Sequence, residues 1–278
     1  MVLESIIGYQ GAKNKPLILV AVGAANACIS LLLAQWVFPS HVSLTALFFT
    51  VLSCVPLFIK AIEGEETLDE QSRSERSLLR EHGRVILFLC CLFIGMLIGF
   101  TGMFLFSSPE DAGKYFDVQM DTFCKINQKS NYQNCMQQYG LTGYASQPLQ
   151  PFFTIINNNL KVLFVCALFS FLYGSGAIYI LTWNAMVLSV AIGYHAKQLF
   201  VETAPFLAVM ISSISFLKHG LLEMAAYFIA GLAGGILSVA VVKHKFGSGF
   251  RRVIFDSAWM FGLSIVVIIL AAVLEVFI

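Results

Sequence analysis

Along this chain the apolar positions gather into long uninterrupted runs, and the polar positions collect in the short stretches between them. A run of about 20 apolar residues is enough to cross a hydrocarbon core, and several runs reach that length. "PLILVAVGAANACISLLLAQWVF" (16–38) predicts a first span. "SHVSLTALFFTVLSCVPLFI" (40–59) returns after the turn "PSH", so the two form a tight hairpin. "VILFLCCLFIGMLIGFTGMFLF" (85–106) predicts the third span, with Gly95, Gly99 and Gly102 as a small-residue stripe of the kind that lets a second helix approach closely.

From Val162 to Tyr194 no charge occurs, which is more than one span needs. The expectation is a helical hairpin, 158–181 and 185–201, joined at Thr182–Asn184. "APFLAVMISSISFL" (204–217) is apolar but short, a length that suits a re-entrant or interfacial helix. "HGLLEMAAYFIAGLAGGILSVAVV" (219–242) and "VIFDSAWMFGLSIVVIILAAVLEVFI" (253–278) are the last two spans, with the basic turn "KHKFGSGFRR" (243–252) between them. The predicted fold is all-α: a polytopic helical membrane protein of about seven transmembrane helices plus one short re-entrant or interfacial helix.

Two polar segments remain. "KAIEGEETLDEQSRSERSLLREHGR" (60–84) is acidic first and basic last, and reads as a solvated loop or surface helix. Residues 107–156 form the largest segment outside the membrane, rich in Gln and Asn. The chain therefore divides into an N-terminal hairpin with its charged segment (1–84) and a membrane domain (85–278) that carries the outer loop 107–156.

Composition adds to this picture. Of the 278 residues 58% are hydrophobic and 12% charged, about half the charged share of a soluble domain. The net charge of +1 gives no argument for nucleic-acid binding. The first span is too long, and lacks a small-residue cleavage site, to be a cleavable signal peptide. Among the 17 Lys and Arg, an inside N-terminus with seven crossings places only Lys114, Lys125, Lys129, Lys161, Lys197 and Lys218 on the outer side. All six arginines fall on the inner side, so the positive-inside rule favours a multi-pass protein of the cell membrane with a cytoplasmic N-terminus. If 204–217 crossed as well, the basic turn would lie outside, against that rule.

Candidate chemistry is sparse. Cys124 and Cys135 stand in the outer loop as "CKINQKSNYQNC" and are expected to pair as a disulfide on an oxidising side. The other five cysteines lie in apolar spans, where a thiol behaves as a small hydrophobe. No H-E-x-x-H, G-x-S-x-G or phosphate-binding loop occurs, so the chain is expected to be non-enzymatic, without cofactor or metal. The polar residues inside the membrane are the exception, because ionisable groups are expensive there. "NNNLK" (157–161) starts the fourth span, with its asparagines as ordinary helix caps and Lys161 reaching outward along its stem. Asn184 caps a helix or bonds across to a neighbour. His219 and Glu223, four apart, share one helical face. Three readings stay open for them: a structural polar contact in which Glu223 accepts from Lys161, Asn158 or Asn159, a transport or proton pathway, or a metal or catalytic site with His195 as the one further ligand.

"NNNLKVLFVCALFSFLYGSGAIYILTWNAMVLSVAIG" followed by "FLKHGLLEMAAYFIAGLAGG" resembles the stage II sporulation protein M family. The shared features are an asparagine-led span, a glycine-containing hairpin and an H-G-x-x-E start to a later span. The resemblance covers roughly 85–278, and "MVLESIIG", the first hairpin and "SERSLLREHGR" are similar to the longer, archaeal-type members. It implies Asn158, Asn159, Asn184, His219, Gly220 and Glu223 as a shared polar core. The namesake, in spore-forming bacteria, holds cell-wall-degrading enzymes in place during engulfment and is not itself the hydrolase. The function expected here is a membrane scaffold. Its partners are membrane lipid and proteins bound through 107–156 or 60–84, and self-association into a homo-oligomer is allowed. The alternative is a transporter or channel using the polar cluster around His219 and Glu223.

Overall fold

Nine helices account for nearly all of the described residues, which in this computed structural model are 16–69, 78–127, 151–173, 176–243 and 248–277. They are α1 (Pro16–Val37), α2 (Val42–Asp69), α3 (Leu78–Phe106), α4 (Pro109–Tyr115), α5 (Asp117–Asn127), α6 (Pro151–Tyr173), α7 (Gly176–Leu199), α8 (Pro205–Lys243) and α9 (Ser248–Phe277). Six of them (α1, α3, α6, α7, α8 and α9) contain stretches long and apolar enough to cross a membrane, and α2 has a shorter apolar part, Val42–Phe58. This is an all-α, multi-pass membrane protein.

Packing follows from small residues at the crossings. A Cβ on Gly23 of α1 would lie 2.5 Å from the Leu92 carbonyl oxygen, and one on Gly95 of α3 would overlap the carbonyl of Val20. These pairs, with Gly99 against Ala24, make α1 and α3 parallel neighbours in near backbone contact. Lipid tails are as apolar as leucine, so such close van der Waals approach is what holds helices together in a bilayer. Gly102, the third member of the predicted stripe, has nothing near it. On α7, Gly193 abuts Phe104 and Ser189 donates to Leu97 O at 3.3 Å, which makes α3 and α7 parallel too. Asn159 against Glu223 and Ala167 against Gly234 run α6 parallel to α8. Parallel alternate helices are what seven alternating crossings require, with α2 as the remaining one.

Three expectations are corrected. The hairpin predicted to turn at Thr182–Asn184 has its helix boundary earlier: α6 ends at Tyr173, α7 begins at Gly176, and α7 continues through 182–184. Thr182 Oγ1 donates to Ile178 O and Asn184 Nδ2 to Ile180 O, both at 2.8 Å, so these polar side chains are satisfied by their own helix and break nothing. Gly176 sits so tightly against Phe169 that a Cβ there would overlap it, so the start of α7 requires a glycine. Secondly, "NNNLK" stands at the start of the apolar stretch Ile155–Leu172 but not at the start of its helix. The helix begins at Pro151, so the asparagines are interior and cap nothing.

Thirdly, 204–217 is helical and apolar but is not a separate re-entrant element. It continues without interruption into the next span as the 39-residue α8. Pro205 opens the helix at a position where its missing N–H is harmless, and nothing between Ala208 and Lys243 is a strong breaker. At 1.5 Å per residue the helix is about 58 Å long, well beyond the hydrocarbon thickness.

The first part of the polar segment 107–156 is less open than its composition suggests. It folds into α4 and α5, which pack against α2, α3 and α7. Ser108 caps α4 by accepting from Asp111 N, with Pro109 at the first turn. Phe116 is fully buried and stacks edge-on to Phe100 and Phe104, at 6.2 and 5.6 Å between ring centres. Phe123 packs on Tyr194.

Candidate functional site

The close contact of α6 with α8 sets the position of the polar core. Cβ atoms added at Gly231 would lie 2.5 Å from Ala177 Cβ and 3.2 Å from Cys166 Sγ, while one at Gly234 would overlap the Ala167 carbonyl. Two turns toward the N-terminal end of α6 from this crossing, Asn159 Nδ2 donates to Glu223 Oε1 at 2.5 Å. Asn158 Nδ2 donates in turn to Asn159 Oδ1 at 3.3 Å. Asn159 is buried and Glu223 half-buried. The result is a chain of donors, Asn158 to Asn159 to Glu223, ending on a carboxylate. Hydrogen bonds to a charged acceptor are roughly twice as strong as neutral ones.

Gly231 against Ala177 and Ser212 against His195 fix the antiparallel register of α8 on α7, which puts Glu223 level with about Ala185. Within their own helices the two residues stand near the start of the apolar stretches, Asn159 in Ile155–Leu172 and Glu223 in Gly220–Val242.

The remaining predicted residues fall in different places. Lys161 is on α6, two residues beyond Asn159, with an exposed side chain. Asn184 bonds to its own helix and not to the pair. Gly220 is helical, and a Cβ there would meet nothing, so close packing does not require glycine. The side chain of His219 lies outside the described residues, as does Cys135. His195 Nδ1 lies 3.0 Å from Ser212 Oγ, and its ring meets Phe216 edge-on at 5.9 Å. Among the described residues no group of three or more His, Cys, Asp or Glu stands together as a metal site. Cys28, Cys54, Cys90, Cys91 and Cys166 are free thiols, and Cys124, fully buried on α5, is not one of them.

Three polar contacts have little or no signal in the sequence. Asn26 of α1 donates to Thr50 O (3.2 Å) and Cys54 Sγ (3.0 Å) on α2, and accepts from Ser53 Oγ (2.6 Å) and Ser30 Oγ (3.3 Å). Gln119 of α5, completely buried, accepts from Ser43 Oγ of α2 at 2.6 Å and points its amide at Met186 Sδ of α7. Tyr115 donates to Gln35 at the end of α1. A lone Asn in an apolar run was the one available hint for the first. The other two join residues some eighty positions apart.

A family model described as stage II sporulation protein M matches residues 84–278, well over half of the chain. Neither the curated proteins nor the solved structures yielded a match.

Proposed function

The chain belongs to the stage II sporulation protein M family, and from that premise we propose that it is a non-enzymatic scaffold of the cell membrane, with its N-terminus in the cytoplasm. The observation that carries this reading is the use made of its buried polar groups. Asn159 with Glu223, Asn26 with Ser53 and Gln119 with Ser43 each tie one helix to another. A frame braced in this way holds its ends at fixed positions, which is what an organiser of other proteins needs. Those ends are long: α2 continues from its apolar part to Asp69, and α3 begins at Leu78, so both helices extend beyond the apolar stretches on the inner side. Protein partners bind there, through 60–84, or on the outer side through 107–156. In this reading Cys124 and Cys135 form a disulfide that closes the outer segment, supported by the absence of Cys124 from the free thiols.

The test is reconstitution of the wild type and Glu223→Gln into liposomes. A scaffold gives no proton or cation flux in either, and a lowered thermal stability in the variant. Flux through the wild type that vanishes in a variant of unchanged stability would replace the scaffold with a transporter or channel. Differential alkylation before and after reduction, read by mass spectrometry, tests the disulfide; free thiols at both positions would refute it.

A further inference from the structure

The start of α9 presents a cation that no described acid neutralises. Arg251 is exposed, and its Cζ lies 5.7 Å over the centre of the Phe255 ring, within the range of a cation–π contact. Lys114 and Lys125 are held by acids at 2.7 and 2.6 Å, whereas Arg251 has no ion pair among the described residues. Even Asp256, the nearest acid in sequence, is half-buried and makes none with it.

Arg251, Phe255 and Trp259 follow at intervals of four and so share one face of the helix. Phe255 and Trp259 are 63% and 70% exposed. The face by which α9 packs on the protein carries Met260, Ser264 and Ile268, all buried, and lies on the far side of the helix from this stripe. Arg251 stands two residues before the apolar stretch Val253–Leu274. That is about 3 Å outside it at 1.5 Å per residue, and the headgroup region adds about 5–7 Å on each side of a hydrocarbon core. The arginine thus falls among the headgroups, and Phe255 and Trp259 fall beneath them, against the acyl chains.

Chemistry decides which headgroup. A guanidinium carries its five N–H donors around the rim of a plane and offers its face to a ring. Contact with Phe255 consumes none of those donors, so the fork that holds a phosphate in bidentate fashion stays open. The turn leading into α9, 243–252, contains Lys243, Lys245, Arg251 and Arg252 and no acid. Four cations beside a spanning helix are the pattern that draws anionic lipid. A zwitterionic headgroup brings its own ammonium and gains little from the excess.

We propose that Arg251, braced by Phe255 and with Trp259 below it, is a binding site for the phosphate of an anionic phospholipid. The phosphate takes the fork, and an acyl chain lies along Phe255 and Trp259. An acidic peptide would meet the same arginine, but the rest of the stripe lies within the apolar stretch, where lipid is the neighbour. A soluble phosphate would lack that second contact altogether. This inference concerns the lipid boundary of α9 and holds whether or not the scaffold reading does.

The reporter is built in, because the tryptophans of the chain are Trp36, Trp183 and Trp259. Trp36→Phe with Trp183→Phe leaves Trp259 alone to report on its lipid neighbours. The full chain is reconstituted into equimolar phosphatidylcholine and phosphatidylglycerol vesicles, with brominated chains on one lipid or the other. Quenching of Trp259 is expected to be stronger when phosphatidylglycerol carries the bromine. That preference should fall on the order of fivefold in Arg251→Gln, the weight of about 1 kcal/mol for one cation at an anionic surface. Phe255→Leu keeps every charge and should lower it as well, which separates a positioned arginine from a diffuse basic surface. A chain with Trp36 as its sole tryptophan is the control, and Arg251→Gln should change nothing there. Equal quenching of Trp259 by both lipids overturns the proposal, as does a preference that survives either substitution or that inorganic phosphate abolishes at constant ionic strength. Spin-labelled phosphatidylglycerol on the chain with all its tryptophans gives the same comparison should the replacements unfold it. A motionally restricted fraction no larger than for phosphatidylcholine, or unchanged in Arg251→Gln, counts against the site.

Discussion

Gly99 of α3 lies so close beneath Ala24 of α1 that a methyl group on Gly99 would sit 2.6 Å from the Ala24 carbonyl oxygen. The obstacle is backbone, which cannot swing aside as a side-chain tip would. Gly99→Leu is therefore expected to separate α1 from α3 and to lower stability by about 1–3 kcal/mol or more, the range for overpacking. Gly102→Ala, one turn on with open space around it, should be neutral or slightly stabilising, since alanine is the better helix former by up to about 1 kcal/mol. Thermal unfolding followed by fluorescence-detected size-exclusion chromatography separates the two.

The contrast between these glycines shows what the sequence carries. The apolar runs give the all-α, multi-pass class, because a bilayer demands long apolar helices. Three glycines at helical spacing announce a crossing, but which of them meets the neighbour depends on where that neighbour lies. Thr182 and Asn184 look like a turn because they are polar in an apolar run, yet each is satisfied by a carbonyl four residues back. The Asn159–Glu223 contact is partly legible, since two polar groups in adjacent spans need a partner. Gln119 is not, because its helix reads as part of a polar loop until Phe116 and Met120 are seen buried with it.

Asn26 makes four contacts, which suggests a large effect on removal, but its partners are mostly provided for. Ser53 Oγ also bonds to Phe49 O and Thr50 O, each at 3.0 Å, and the Thr50 carbonyl belongs to a helix. Asn26→Leu should accordingly cost no more than about 1.5 kcal/mol, within the range of single intramembrane hydrogen bonds. A drop well beyond that in a denaturation series would mean that the side chain holds α1 on α2 by itself.

Ser43 and Gln119 differ in this respect, because each is buried and the bond between them joins α2 to α5. Gln119→Leu leaves the Ser43 hydroxyl without that partner, at about 1–3 kcal/mol. The double variant Ser43→Ala with Gln119→Leu removes both polar groups and should recover most of the loss. Hydrogen exchange over α4 and α5 provides the readout: faster exchange in the single variant, near wild type in the double.

Tyr115 supplies a pH dependence outside the membrane. Its phenol is pushed above the usual tyrosine range chiefly by burial and then by the charge of Asp111, with the Gln35 bond and Lys114 acting the other way. A group whose pKa is raised by folding keeps its proton in the folded state, so its contribution to stability is full below about pH 10 and is lost as the pH rises through the raised value. Melting temperatures measured from pH 8 to 12 should fall more steeply in the wild type than in Tyr115→Phe at the top of that range.

The bond from Asn159 to Glu223 allows the strictest test of the polar core. Glu223→Gln keeps the shape and one acceptor oxygen, so the Asn159 amide retains a partner and loses only the charge assistance. Glu223→Leu removes the acceptor and leaves a buried amide unpaired. The loss should thus be small for glutamine and larger for leucine, in the presence of intact Asn159. In an Asn159→Leu background the difference between the two substitutions should shrink, because there is no donor left to strand. A double-mutant cycle between Asn159→Leu and Glu223→Leu isolates the pair, and a coupling of about 0.6–1.7 kcal/mol is expected for polar contacts in a bilayer. A coupling near zero would mean that the two helices are held by the Gly231 and Gly234 crossing alone, and that the carboxylate is kept for something other than its neighbour on α6.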